Sequence, residues 1–271
     1  MESSKSVVGY GKSGCRFWAC LMIIMAHFSC LSTHSYAQVG EYRTDLAVGV
    51  NGGMSMSNVA FVPTVPQTWL NGPTFGLSAR YTCEKYFNSI CAVVAEVNYT
   101  QLGWKENILD KEDQPVPLHT DPSQTLSYSR KINYLQVPLL ARLGWGRERN
   151  GLQFFIQLGP QVGFYMNDQT DTNFNVRDIE SYYDKRSSFV VAQDSMAIEN
   201  SLDYGIAAGA GLEFSNRHLG HFIVEGRYYY GLGNIYGNTK RDYFGRSNFG
   251  NVVVKLTYLF DIIRTKNSKI K

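Results

Sequence analysis

Few side chains in this 271-residue sequence could carry chemistry, and their spacing argues against most reactions. His119 stands near Asp110, Asp113 and Asp121, residue types suited to general acid–base work, yet no nucleophile accompanies it at a catalytic spacing. His218 and His221 flank a short polar segment and read as turn residues. No glycine-rich phosphate cradle and no paired zinc-ligand spacing occurs, so no catalytic residue, cofactor or metal ligand is assigned. Cys83 and Cys91 would face each other on neighbouring strands if the turn between them centred on residue 87. Facing Cβ atoms lie about 4.5–5.5 Å apart, near the roughly 3.5–4.5 Å of a disulfide. A disulfide and a pair of free lipid-side or interfacial thiols both fit.

Strands must position these residues. From residue 44 onward the pattern has period two. Leu152, Phe154, Ile156, Leu158, Pro160, Val162, Phe164 and Met166 alternate with Gln153, Phe155, Gln157, Gly159, Gln161, Gly163 and Tyr165. Segments 202–215 and 252–260 repeat the pattern, and such runs exceed the usual five or six residues of soluble strands. Eight segments are expected: 44–57, 73–84, 90–104, 127–143, 152–166, 201–215, 221–236 and 248–262. Their connections alternate long and short, as in outer-membrane barrels, whose periplasmic turns are short and external loops long. A bilayer offers no hydrogen-bond partners, so every strand edge must be paired by closure. The expected fold is all-β: an eight-stranded, antiparallel, up-and-down transmembrane β-barrel. A lipocalin-like soluble barrel is the rival, with the two faces exchanged.

The polar phase of these strands carries Arg80, Glu96, Arg142, Glu213, Glu225, Arg227 and Lys255. Eight strands enclose a lumen that side chains just fill. These seven residues are therefore expected to form interlocked ion pairs inside, leaving no open pore. Pro138 cannot donate to a ladder, so a bulge or a locally opened pair is expected beside it.

Composition agrees. Charged residues make up 18% and aromatics 14%, with 18 Tyr and 25 Gly, a mix suited to turn-rich β structure with interfacial aromatics. Residues 1–37 read as a secretory signal: Lys5, Lys12 and Arg16 precede the apolar run Phe17 to Leu31, and Ser35-Tyr36-Ala37 supplies a cleavage site. A membrane anchor would need about 20 apolar residues, more than this run holds. Lipidation at Cys30 is disfavoured by His27 and Phe28. The mature chain, 38–271, is then one barrel domain with no second domain expected after the last strand. Its near balance of charge removes the driving force for nucleic-acid binding.

The connection 167–200 mixes Phe174, Tyr182, Tyr183 and Phe189 with Asp171, Asp178, Asp184, Lys185 and Arg186. Exposed aromatics interleaved with charge suit protein contact, and a lid folded over the barrel mouth suits the same composition.

Several stretches resemble the PorT-like outer-membrane β-barrel family. They include Val48-Gly49-Val50-Asn51-Gly52-Gly53, Glu96-Val97-Asn98-Tyr99-Thr100-Gln101-Leu102-Gly103-Trp104 and Ile132-Asn133-Tyr134-Leu135-Gln136-Val137-Pro138-Leu139-Leu140. Leu158-Gly159-Pro160-Gln161-Val162-Gly163, the segment 203–213 and Arg227-Tyr228-Tyr229-Tyr230-Gly231-Leu232-Gly233-Asn234-Ile235 continue the likeness across the mature chain. The resemblance implies a barrel in the outer membrane of a Gram-negative bacterium that uses type IX secretion, and the family's namesake is a component of that machine. The expected role is a non-enzymatic assembly or accessory component. Its surroundings would be outer-membrane lipid and other secretion or envelope proteins, and the barrel itself is expected to be a monomer. A small porin-like channel is the alternative, and a membrane-embedded hydrolase or acyltransferase a second one.

Overall fold

The computed structural model describes residues 41–86, 88–118, 121–148, 150–175, 186–188, 190–237 and 243–265. The expected signal segment and His119 lie outside the described residues. The strands are β1 (Glu41–Val62), β2 (Gln67–Thr68), β3 (Leu70–Tyr86), β4 (Ser89–Glu106) and β5 (Tyr128–Gly146), followed by β6 (Gly151–Thr172), β7 (Leu202–Asn216), β8 (Gly220–Gly231) and β9 (Arg246–Ile263). Each pairs antiparallel with its neighbour, and β4–β5 and β1–β9 pairings close the sheet into a ring. Strand β2 is an addition to the expected eight. It holds two residues, pairs only with β4 at Glu106 and Lys105, and takes no part in the closure.

The alternation works because neighbouring side chains on a strand point to opposite faces. In β6, Gln153, Gln157 and Gln161 are buried, while Leu152, Phe154, Ile156 and Leu158 are exposed on the outside. The same holds around the ring, where Leu77 is 65% exposed, Leu256 64% and Val254 51%. Soluble monomers rarely show an unbroken apolar surface of this extent, so its natural solvent is lipid. Outward residues from Leu202 to Phe214 span about 30 Å along the normal, taking a rise of about 3.3 Å per residue and a tilt of about 40°. Replacing Val254 by Arg should therefore cost about 2–4 kcal/mol in a bilayer. Equilibrium unfolding from lipid vesicles measures this; a change below about 0.5 kcal/mol would place Val254 in water.

One element departs from expectation. Strand β8 stops at Gly231 rather than 236, because the chain turns inward and buries Ile235 and Tyr236 over the mouth. At Pro138 the expected local opening is found, in place of a bulge: Pro138 stays opposite Gln161 in unbroken register, while pairing with β4 lapses at Val137 and Pro138 and pairing with β6 lapses at Leu139 and Leu140. The register shift of the β5–β6 pair lies opposite Asn133 and Tyr134, where Met166 of β6 is skipped.

Candidate functional site

All seven inward charges of the polar phase are buried. Glu96 is the centre of one group. Arg227 grips it through two parallel bonds of 2.9 and 3.0 Å, Lys255 Nζ donates at 2.6 Å and Asn98 at 2.8 Å. Glu225 closes this group, lying 2.7 Å from Arg227 and 3.3 Å from Lys255, and accepts a bond from Gln157 at 3.1 Å. Glu213 is the centre of a second group, with Arg80 at 2.5 Å and Arg142 at 2.6 Å on its two oxygens. The Arg142 guanidinium also lies 3.3 Å over the Phe155 ring. A narrow lumen forces these contacts: side chains from seven strands, β3 to β9, meet on one axis, and buried charges must be paired there.

His221 is a correction to the turn reading. It is buried, with Nδ1 2.8 Å from both Ser215 Oγ and Glu213 and Nε2 3.0 Å from Asp261. It extends the Glu213 group to the ring's short-turn end. Of the two states open to Cys83 and Cys91, the structure has free thiols. The turn centres between residues 87 and 88, so Glu84 faces Cys91, and a bulge then skips Cys83 and sets Thr82 opposite Ala92. One extra residue removes the facing geometry a disulfide needs.

At the opposite end the long connections fold over the opening. Phe61, Trp104, Tyr236 and Phe244 form an aromatic cluster, with ring centroids 4.9 Å apart for Phe61–Phe244 and 5.2 Å for Phe61–Trp104. Trp104 points inward in the regular phase of Glu96, Asn98 and Thr100, and Gly103 beside it lets the neighbouring backbone approach closely. The φ of Gly103 is +152°, a Cβ there would lie 1.9 Å from the Arg130 carbonyl, and Ser57 Oγ bonds both its N–H and its C=O. Phe174 corrects the partner-loop reading: it is buried in the same core, with Arg186 stacked 5.2 Å over its ring. Tyr182, Tyr183 and Phe189 lie outside the described residues.

The strap 190–200 crosses above this cluster and is held largely through its main chain. Tyr128 and Tyr236 hydroxyls donate to the Gln193 carbonyl, each at 3.4 Å, and Arg130 donates to the Met196 carbonyl at 2.5 Å. Gln193 reaches Glu106 at 2.7 Å, and Arg186 pairs with Asp194 at 3.4 Å. Glu106 and Asp194 carboxyls meet directly. This pair lies beyond the apolar band, past the polar outward residues Gln101 and Lys105 of β4. Burial and the neighbouring Asp194 push Glu106 well above the ordinary carboxylate range, and burial raises Asp194 as well. Acids raised in the folded state hold protons that the undocked chain releases. Docking of the strap is then strongest at low pH and is lost as pH climbs from the usual carboxylate range toward the shifted values. Hydrogen exchange at Val191–Met196, corrected for intrinsic rates, should accelerate by up to about tenfold per pH unit in that window. Glu106→Gln should flatten this dependence. An exchange profile equally steep in the variant would remove Glu106 from the latch.

Among the described residues, no group of three or more His, Cys, Asp or Glu is placed to hold a metal ion. The candidate site is therefore a filled lumen under a capped mouth. Arg130, Glu106, Asp194 and His221 are its unforeseen members.

The model of a family described as outer membrane protein β-barrel domain matches residues 36–237. No curated protein matches the chain. Among solved structures, the attachment invasion locus protein Ail of Yersinia pestis is similar at 15% identity, covering 79% of this chain and 98% of its own, with a TM-score of 0.35. OprG from Pseudomonas aeruginosa is similar at 14% identity over 82% of this chain and 98% of its own, with a TM-score of 0.38. Neisserial surface protein A gives 9% identity, 79% and 97% coverage, and a TM-score of 0.37.

Proposed function

Since the chain belongs to the outer membrane protein β-barrel domain family, and so resides in the outer membrane of a Gram-negative bacterium, we propose that it is a sealed, non-enzymatic, eight-stranded barrel acting as an assembly or accessory component. Its partners meet it at the outer mouth and the periplasmic rim. The resemblance to PorT-like barrels makes type IX protein secretion the system we propose for it. Removal of residues 1–37 as a signal peptide belongs to the same reading. The observation that carries it is the plugged interior: Glu96, Glu213, Glu225 and their cations cross the lumen, and an aromatic cluster seals the mouth above them. Such an interior leaves contact surfaces, rather than a path or a pocket, as the working part.

Two measurements test this. Planar-bilayer recording of the purified protein should show no steady conductance, and ion-sized openings would favour the porin-like channel. Affinity capture of the tagged chain from detergent-solubilised outer membrane should bring down export components, whereas recovery of the barrel alone would count against the accessory role.

A further inference from the structure

The Glu213 group is unbalanced. Arg80 and Arg142 both bond this single carboxylate, and both are more than nine-tenths buried. His221 also leans on Glu213, so its protonation would add a further positive charge. The nearby acids are already met: Glu148 by Arg43 at 3.2 Å and Lys85 at 3.3 Å, and Asp261 by Arg264 at 2.7 Å and His221 at 3.0 Å. The opposite group, Glu96 and Glu225 with Arg227 and Lys255, is balanced within itself.

A cavity of about 20 Å³ lies against both arginines, lined also by Thr82, Gln153, Glu148 and Glu213. The Arg80 Nε is buried beside it with no protein partner. A buried cation in excess seeks a counter-charge, since desolvation is otherwise uncompensated. The cavity passes the roughly 10–15 Å³ that one water needs, so it has room for a single monatomic or water-sized occupant and not for a tetrahedral oxyanion. We propose that this cavity binds a monatomic anion, chloride, as the missing counter-ion of the Arg80–Arg142 pair at the periplasmic end of the lumen.

The full chain in detergent tests this with bromide and chloride as probes. Crystals soaked in bromide should give an anomalous peak in the cavity, in contact with the Arg80 and Arg142 guanidiniums. In thermal unfolding, replacing gluconate by chloride at constant ionic strength should raise Tm by a few degrees and then saturate, as mass action on a native-state site requires. Arg80→Met leaves Glu213 paired with Arg142 and restores balance, so its Tm should no longer respond to halide. A cavity holding only water, with no anomalous signal, overturns the proposal, as does a halide response unchanged in Arg80→Met. If that variant does not fold, the bromide peak in the natural protein decides alone.

Discussion

Glu96→Ala should lower the unfolding free energy of the barrel by about 3–5 kcal/mol, the typical cost of removing one partner from a buried ion pair. Glu96 accepts from Arg227, Lys255 and Asn98, so its loss leaves Glu225 to answer two buried cations. The penalty is the uncompensated charge, not the bond energy of the original pairs. A sharper test follows from that distinction. Replacing Glu96, Glu225, Arg227 and Lys255 together by Met or Leu should be near neutral or stabilising, because a packed apolar group escapes desolvation altogether. Urea unfolding from vesicles, read by tryptophan fluorescence, gives both values. A single substitution costing less than about 1 kcal/mol would mean that water reaches Glu96, and the sealed lumen would go with it.

Phe61→Ala should cost about 3–5 kcal/mol, the range for emptying a packed aromatic site. Phe61 is buried and touches three rings, Trp104, Tyr236 and Phe244, so little can collapse into the space it leaves. Beyond stability, the variant should loosen the strap, because Tyr236 holds the Gln193 carbonyl. Faster hydrogen exchange at Val191–Met196 and weaker near-ultraviolet dichroism would report it. Conductance should stay absent, since the ionic groups lie deeper in the lumen. Openings appearing in Phe61→Ala would show that the aromatic cap, and not the ion network, is the seal.

Much of this was legible because a strand has only two faces. Once Leu152, Phe154 and Ile156 are assigned outward, Gln153 and Gln157 have nowhere to go but inward, and the same logic assigned Arg80, Glu213 and Lys255. His221 obeys it too, being in phase with Ile223, Glu225 and Arg227; the turn reading ignored that phase. Arg130 likewise shares the phase of Ile132 and Tyr134. Bulges were illegible. The residue skipped at Cys83 and the burial of Gly103, an outward-phase residue, break period two without any signal in residue type alone. The mouth was the hardest part. Its connections have no period, and Glu106 meets Gln193 and Asp194 only across a long stretch of intervening sequence.

The strap is anchored through carbonyl oxygens of Gln193, Asp194 and Met196 and through the amides of Glu199 and Asn200, both bonded to the Ile235 carbonyl. Main-chain atoms are the same in every amino acid, while Ser195, Ala197 and Glu199 turn their side chains to the outside. Mutation can therefore redraw the outward-facing chemistry of the cap while the closure survives each change.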